Sequence, residues 1–451
     1  GRDRIIGRVD RIRSVPGGTE LTIMRFTILV PSELKVKHEL AVTESAVTDS
    51  RVQAIVDRDR DEENLFGRGF QLTDTLLVAG QMQITADWED NFNLRDSRSE
   101  DIQNTLTALK GRLIWNPEGR FFAVVEYNLR RLWRDDERQG SLNIRNHRFA
   151  ETYGYWLDAF TPGLDIQVGR VKYEERREFL YDQDLDGPRL IYTRNRLRSE
   201  LSVTTTLSDG SREDENALNT MWYLSNDDDN RHMAGYDIHR DFDLDVPMRR
   251  THVGFRMHGV WLPRQKVWLE LAHMRSRSGD VDGRGWALDI GTTWRINRNW
   301  AITGGFAIAT GDDRESGTDE TFRQTGLQDN NDRFAGVTSF RFYGELTDPE
   351  LANLEIITIG LGWLPRRRVS LDLVAHHYHQ NVASRRLVDM QIDRRPNGID
   401  RELGTEVDLI FGWRTDWKWD LELVAGWFDP GKAFGAADDA FFGKVQFRYR
   451  L

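Results

Sequence analysis

The sequence predicts an all-β protein, a transmembrane antiparallel β-barrel of about sixteen strands, with eighteen as the alternative, behind a small amino-terminal β-domain. Three observations carry this. Apolar and polar residues alternate with period two over long stretches, aromatic residues sit at the ends of those stretches, and short turns alternate with long polar loops. Successive strand residues point to opposite faces, so such alternation makes one apolar and one polar face. A soluble sandwich would use strands of about five or six residues, and these are longer. Charges at alternate positions of so many long strands require a water-filled interior. No stretch approaches the roughly 18 to 20 uninterrupted apolar residues of a membrane helix.

The chain has 451 residues and no cysteine, which excludes disulfides and thiolate metal sites. Its 38 glycines against 11 prolines suit strands joined by tight turns. The 62 basic and 73 acidic residues are dense in both signs without a basic domain, which argues against a nucleic-acid partner. Runs such as Asp227-Asp228-Asp229 and Arg366-Arg367-Arg368 read as solvated loop charge. The first residues lack the charged and apolar regions of a secretory signal, so a signal was removed beforehand or never existed.

Residues 1–70 read as a separate β-rich unit. Ile5 to Asp10, the Pro16-Gly17-Gly18 turn and Leu21 to Val30 form a hairpin pattern, and Val52 to Val56 a further strand. An OB-like periplasmic domain is the first reading, and an extra hairpin in the barrel wall the second. Residues 71–451 make the barrel, with a first spanning strand near 76–89. In the next hairpin, Asn116-Pro117-Glu118-Gly119 supplies the turn. Phe121, Ala123, Val125, Tyr127 and Leu129 then share one face, while Glu126, Asn128 and Arg130 share the other. The same alternation places Trp300, Phe306, Trp413, Trp419 and Trp427 toward lipid, and the last strand runs from Phe441 to Leu451. Short connections fall at 116–119, 161–163, 193–195, 263–266, 297–299, 365–368 and 414–418. Long ones fall near 90–103, 133–147, 175–187, 208–248, 312–351, 380–402 and 428–439, with 276–284 a shorter outer loop. Short turns belong on the periplasmic side, which puts both ends of an even-stranded barrel there.

Alternation also assigns the lumen. Inward bases are Lys110, Arg112, Arg130, Arg256, Arg295, Lys444, Arg448 and Arg450. Inward acids are Glu126, Asp158, Glu270, Asp289, Glu355, Asp372, Glu406, Asp408, Asp420 and Glu422. Opposed ladders of this kind cross-pair and shape the field across a pore.

Against this regular background Phe322-Arg323-Gln324-Thr325-Gly326-Leu327 opens a long aperiodic loop. With Arg341 to Leu346 and Asn353-Leu354 it resembles the long extracellular loop of the alginate export porins of Gram-negative outer membranes. Arg250-Thr251-His252-Val253, Ser278-Gly279-Asp280-Val281, Val168-Gly169-Arg170, Leu403 to Leu409, and Phe428-Asp429-Pro430-Gly431 with Gly435 extend the likeness in order across residues 75–451. The resemblance implies a barrel in the bacterial outer membrane through which an anionic, alginate-like exopolysaccharide diffuses outward. Its partners would be the polymer, outer-membrane lipid and a periplasmic export scaffold. It further implies that the long loop folds into the pore, where Arg323, Arg333 and Arg341 would join Arg112, Arg130, Arg256 and Arg295 in meeting carboxylates. An acidic ladder of Asp408, Asp420 and Glu422 would line the opposite wall. The family's barrel has one hairpin more than sixteen strands provide, expected between Met274 and Asp280. A passive porin for small solutes or a neutral polymer is the alternative function.

Two motifs suggest chemistry of another kind. Asp182-Gln183-Asp184-Leu185-Asp186-Gly187 matches the opening of a calcium loop, although Thr193 stands where the closing glutamate belongs. Asp182, Asp184 and Asp186 are therefore either ligands for Ca2+ in an outer loop or simply acidic loop residues, and no other cofactor is expected. His377 and His379 share a face as a metal pair or as part of the barrel rim. A barrel-type hydrolase is the rival class. No G-x-S-x-G elbow occurs and the acids are too many to single out a pair, so no enzyme is expected.

Overall fold

A computed structural model of the chain describes residues 9–15, 18–23, 26–30 and 69–450, apart from 96–100, 117–118, 138–139, 208–216, 229, 245, 316 and 416–417. The chain divides into two compact units, residues 1–58 and 59–451. In the first, Val9–Val15, Gly18–Ile23 and Phe26–Val30 form a three-stranded antiparallel meander. The strand expected at Val52 to Val56 lies outside the described residues.

The second unit is a closed antiparallel barrel with eighteen spanning strands. In chain order they are β1 (Leu76–Asp90), β2 (Ile102–Trp115), β3 (Phe121–Asp136), β4 (Gly140–Trp156), β5 (Leu164–Glu174), β6 (Asp182–Arg194), β7 (Leu197–Thr204), β8 (Ala217–Asp228) and β9 (Arg231–Phe242). There follow β10 (Met248–Leu262), β11 (Gln265–Ser278), β12 (Val281–Arg295), β13 (Trp300–Ala309), β14 (Leu354–Arg366), β15 (Val369–Gln380), β16 (Glu402–Arg414), β17 (Trp419–Pro430) and β18 (Ala440–Arg450). The ladder from Phe441↔Asp90 to Arg450↔Gln81 joins β18 to β1 and closes the cylinder. Phe70–Thr73 is a short arm folded back on the start of β1.

The observed count is the eighteen held as the alternative to sixteen. The additional hairpin is β8–β9, inside the segment read as one loop at 208–248, and not between Met274 and Asp280, where β11 and β12 run almost uninterrupted. Its concealment has a physical cause. Met233 is followed on the outward face of β9 by Gly235, Asp237, His239 and Asp241, so the lipid-facing stripe that marks a barrel strand is cut short. Two other expected loops shorten because their strands continue: β3 and β4 reach Asp136 and Gly140, and β6 starts at Asp182.

Trp300, Phe306, Trp413 and Trp427 are exposed on the outer surface, while Trp419 is half-buried beside Trp413 and Phe447. Near the short turns the aromatics form clusters, Trp115–Phe121–Trp156 and Trp300–Trp363 among them. Trp88, Trp133 and Trp286 face outward near the opposite ends, completing the two girdles of a membrane barrel. The interior is not an open channel. Residues 310–353, between β13 and β14, fold back into it, and Phe322, Phe340, Leu346 and Leu351 are almost fully buried there.

Candidate functional site

An irregular segment inside a barrel has no ladder partner, so its N–H and C=O groups must be satisfied by the wall. Here the two walls divide that work. From β9 and β10, Arg240 donates to the Thr325 carbonyl, Arg250 Nη1 to that of Gln324 at 3.0 Å, and His252 Nε2 to that of Arg323 at 2.8 Å. Lys266 of β11 donates to the Arg333 carbonyl at 2.9 Å and reaches Asp332 at 3.1 Å. Across the lumen the plug is the donor. The amides of Leu346 and Thr347 bond Glu406 at 2.7 and 3.1 Å, and that of Glu345 bonds Asp408 at 3.3 Å. Thr338 Oγ1 donates to Glu422 at 2.6 Å, and the Val337 amide to Ser370 Oγ at 2.9 Å. The basic side of the lumen thus holds carbonyls and the acidic side holds N–H and O–H donors, except that Tyr378 of β15 donates its hydroxyl to the Tyr343 carbonyl at 2.7 Å.

Arg177, from the loop between β5 and β6, fastens the plug at its centre. Its guanidinium meets Asp289 of β12 at 2.6 Å and Asp332 of the plug at 3.2 Å. It lies between the rings of Trp268 and Phe342, at 4.6 and 4.0 Å from their centroids. Trp268 stacks in turn on Phe334 and donates its indole N–H to Asp289 at 2.7 Å. Two glycines permit the close fit. A Cβ at Gly285 on β12 would come within 2.5 Å of the Phe322 backbone. Gly344 has φ +124, and a Cβ there would collide with Tyr378 and Glu406.

Between the plug and the wall of β1 and β18 a polar cavity of about 420 Å3 remains. Arg341, Arg414, Lys444 and Arg448 supply its bases, and Asp87, Glu89, Asp329, Glu345 and Glu422 its acids. Phe442, Lys444, Gln446 and Arg448 alternate along the inner face of β18, so the cavity follows that strand toward its short-turn end, where Arg414 and Arg448 lie. Lys444 is held by Glu345 and Glu422 at 3.1 and 3.0 Å, and Arg341 by Asp348 at 2.8 Å. Asp420 pairs with Arg450 and, at 3.9 Å, with Arg448.

Of the seven arginines expected on the pathway, Arg341 lines this cavity. Arg112 is buried against Glu126 and Glu151 at 3.0 and 2.7 Å, and Arg256 against Glu270 at 2.6 Å and Glu175. Both are wall-to-wall or wall-to-loop pairs. Arg130 stays on the inward register of β3, and Arg295 is exposed at the end of β12. Arg323 and Arg333 serve the docking through their backbone carbonyls. Glu422 lines the cavity, whereas Asp408 and Glu406 are taken up by plug amides. Two acids assigned inward are elsewhere. Asp158 accepts the Gly163 amide in the β4–β5 turn at 2.7 Å, and Glu355 faces outward at the barrel rim with Arg401 at 2.6 Å.

The D-x-D-x-D-G run is strand rather than loop. Asp182, Asp184 and Asp186 stand on β6 opposite Glu174, Lys172 and Arg170, and pair with Lys172, Arg148 at 3.4 Å and Arg170 at 3.2 Å. A strand spreads alternate carboxylates along one face instead of converging them. His377 and His379 are neighbours on the outward face, with ring centroids 4.6 Å apart, and His377 bonds Thr405. Arg177 and Arg414 were not legible as site residues. Arg177 sits in Glu174-Glu175-Arg176-Arg177-Glu178, a run indistinguishable in sequence from solvated loop charge.

Residues 198–446, more than half of the chain, match the family model described as alginate export. Among curated relatives, the alginate production protein AlgE of Azotobacter vinelandii is 29% identical over 191 residues, covering 37% of this chain and 39% of the relative. AlgE of Pseudomonas aeruginosa is 31% identical over 142 residues, covering 30% of this chain and 27% of the relative. The chain thus spans about two fifths or less of the curated relatives it matches. Solved structures with the same barrel include Pseudomonas aeruginosa OccK5 (OpdH), with a TM-score of 0.55 at 10% identity over 84% of this chain and 98% of that one. Pseudomonas aeruginosa OccK7 (OpdD) likewise has a TM-score of 0.55, at 11% identity over 83% of this chain and 99% of that one.

Proposed function

Because the chain belongs to the alginate export family, we propose that it is a porin through which an acidic exopolysaccharide of the alginate kind diffuses outward. Its barrel lies in the bacterial outer membrane, with the outward girdles against lipid. The observation that carries the reading is the strip Arg341, Lys444, Arg448 and Arg414, which follows the cavity beside β18 to its short-turn, periplasmic end. Guanidinium groups bind carboxylates in bidentate fashion, and low-dielectric walls strengthen the attraction. A uronate chain drawn to Arg414 and Arg448 would advance along alternating bases and acids without a trap deep enough to hold it. Passage of a polymer requires the plug to shift, since the cavity beside it is only about 420 Å3. The amino-terminal unit is proposed as a separable, OB-like periplasmic domain that meets an export scaffold.

The test is current block in planar bilayers. Oligouronates added on the periplasmic side should block in a concentration-dependent way, and Arg414→Ala with Arg448→Ala should weaken the block about tenfold or more. Equal block by neutral oligosaccharides of the same length would instead favour a pore for neutral polymers or small solutes.

A further inference from the structure

The loop that carries Arg177 also brings three carboxylates together. One oxygen each from Glu174 at the end of β5, Glu178 in the loop and Asp182 at the start of β6 lie within 4.8 Å of one another. Such clusters are common on protein surfaces, but this one contains a buried member. Glu178 is nine-tenths buried, and its Oε2 has no hydrogen-bond partner. A buried carboxylate oxygen without a donor or a cation is costly. Lys172 pairs with Asp182 and offsets one of the three negative charges.

We infer that Glu174, Glu178 and Asp182 bind a hard divalent cation, Ca2+ in preference to Mg2+. All donors are carboxylate oxygens, and the set combines two strand ends with a loop residue. Ca2+ tolerates such irregular geometry, whereas Mg2+ demands a near-ideal octahedron. The site shares only Asp182 with the D-x-D-x-D-G motif. Its place gives it a consequence. The Glu178 carbonyl accepts the amides of Asp329 and Asn330 on the plug, each at 3.1 Å, and Gln324 Nε2 donates to the Phe179 carbonyl at 2.9 Å. A cation that fixes Glu178 therefore fixes the surface on which the plug docks, whatever solute the pore carries.

Terbium luminescence tests this on the full chain refolded in lipopolysaccharide-free detergent, since Tyr173 and Tyr181 flank the ligands in sequence and lie 6.1 Å apart as potential sensitisers. Saturable Tb3+ emission, displaced by Ca2+, is expected in the wild type. Glu178→Gln should weaken binding at least about tenfold. Glu174→Asp keeps the charge and shortens the arm, and should weaken binding as well. Asp184→Asn, which removes the ion pair with Arg148 and weakens the field on Lys172 but takes away none of the three ligands, should bind within about twofold of the wild type. Heat-modifiable mobility on gels checks that each variant is a barrel. Absence of saturable binding, wild-type affinity in both glutamate variants, or an equal loss in Asp184→Asn would each overturn the assignment.

Discussion

Arg177 is the side chain on which closure of the lumen chiefly depends, because it neutralises Asp289 of the wall and Asp332 of the plug while filling the space between Trp268 and Phe342. Removing one partner of a buried ion pair costs about 3 to 5 kcal/mol, and here the loss falls chiefly on Asp289, since Asp332 keeps Lys266 at 3.1 Å. Arg177→Ala should spend that cost on docking rather than on the wall, whose strand ladders make no use of the guanidinium. Single-channel recordings should show larger or more frequent openings with unchanged heat-modifiable mobility, and a wild-type conductance trace would refute the assignment. Glu350, also on the plug, supplies a pH dependence. Burial pushes its carboxyl up to about 7, opposed by Arg250 and Arg323 and reinforced by Asp389. A raised carboxyl favours the docked plug in its neutral form. That contribution is complete below the ordinary value of 4.5 and is lost as pH rises through about 7. Conductance should therefore increase between pH 5 and pH 8, and Glu350→Gln should flatten the step. A step of the same size in the glutamine variant would assign it to another group.

At the scale of elements, the plug is an insertion between neighbouring strands. β13 and β14 pair directly from Trp300↔Trp363 to Ile308↔Glu355, so the wall is complete without the intervening residues. Replacing residues 320–346 with a short Gly-Ser linker should leave the barrel assembled and raise its conductance severalfold in bilayers; a variant that no longer forms a heat-modifiable barrel would show that the plug is needed for the wall. The presence of this loop was legible because Phe322 to Phe334 breaks an otherwise regular alternation. What it touches was not. Alternation says that Glu406, Asp408 and His252 face inward, but their partners are backbone groups of a segment far away in sequence, and no local pattern encodes that choice. The β8–β9 hairpin escaped for a related reason. Its outward residues Asp237 and His239 break the period that strand recognition relies on.

For the molecule as a whole the question is which charges a passing ion meets. The protein's net charge of −11 says little about this, because permeation responds to the field at the narrowest point and most lumen charges are already paired. Arg112 and Arg256 are buried against two acids each and contribute little net field. Arg341, Lys444 and Arg448 were legible as loop or inward bases, whereas Arg414 was assigned to a turn, since it ends its strand and only the closed barrel shows that it turns toward the cavity. The cavity itself is mixed, four bases against five acids, with Arg414 and Arg448 at the short-turn end of β16 and β18 and Asp87 and Glu89 toward the long-loop end of β1. Such a lining should discriminate through a few positions rather than through total charge. Neutralising Arg341, Arg414 and Arg448 together should move the reversal potential under a salt gradient toward cation selectivity, while Arg112→Ala with Arg256→Ala should leave it within error of the wild type in barrels that still assemble. If the buried pair of substitutions shifted selectivity as much as the cavity triple, ions would be crossing the lumen on the far side of the plug, and the passage along β18 would not be the conducting path.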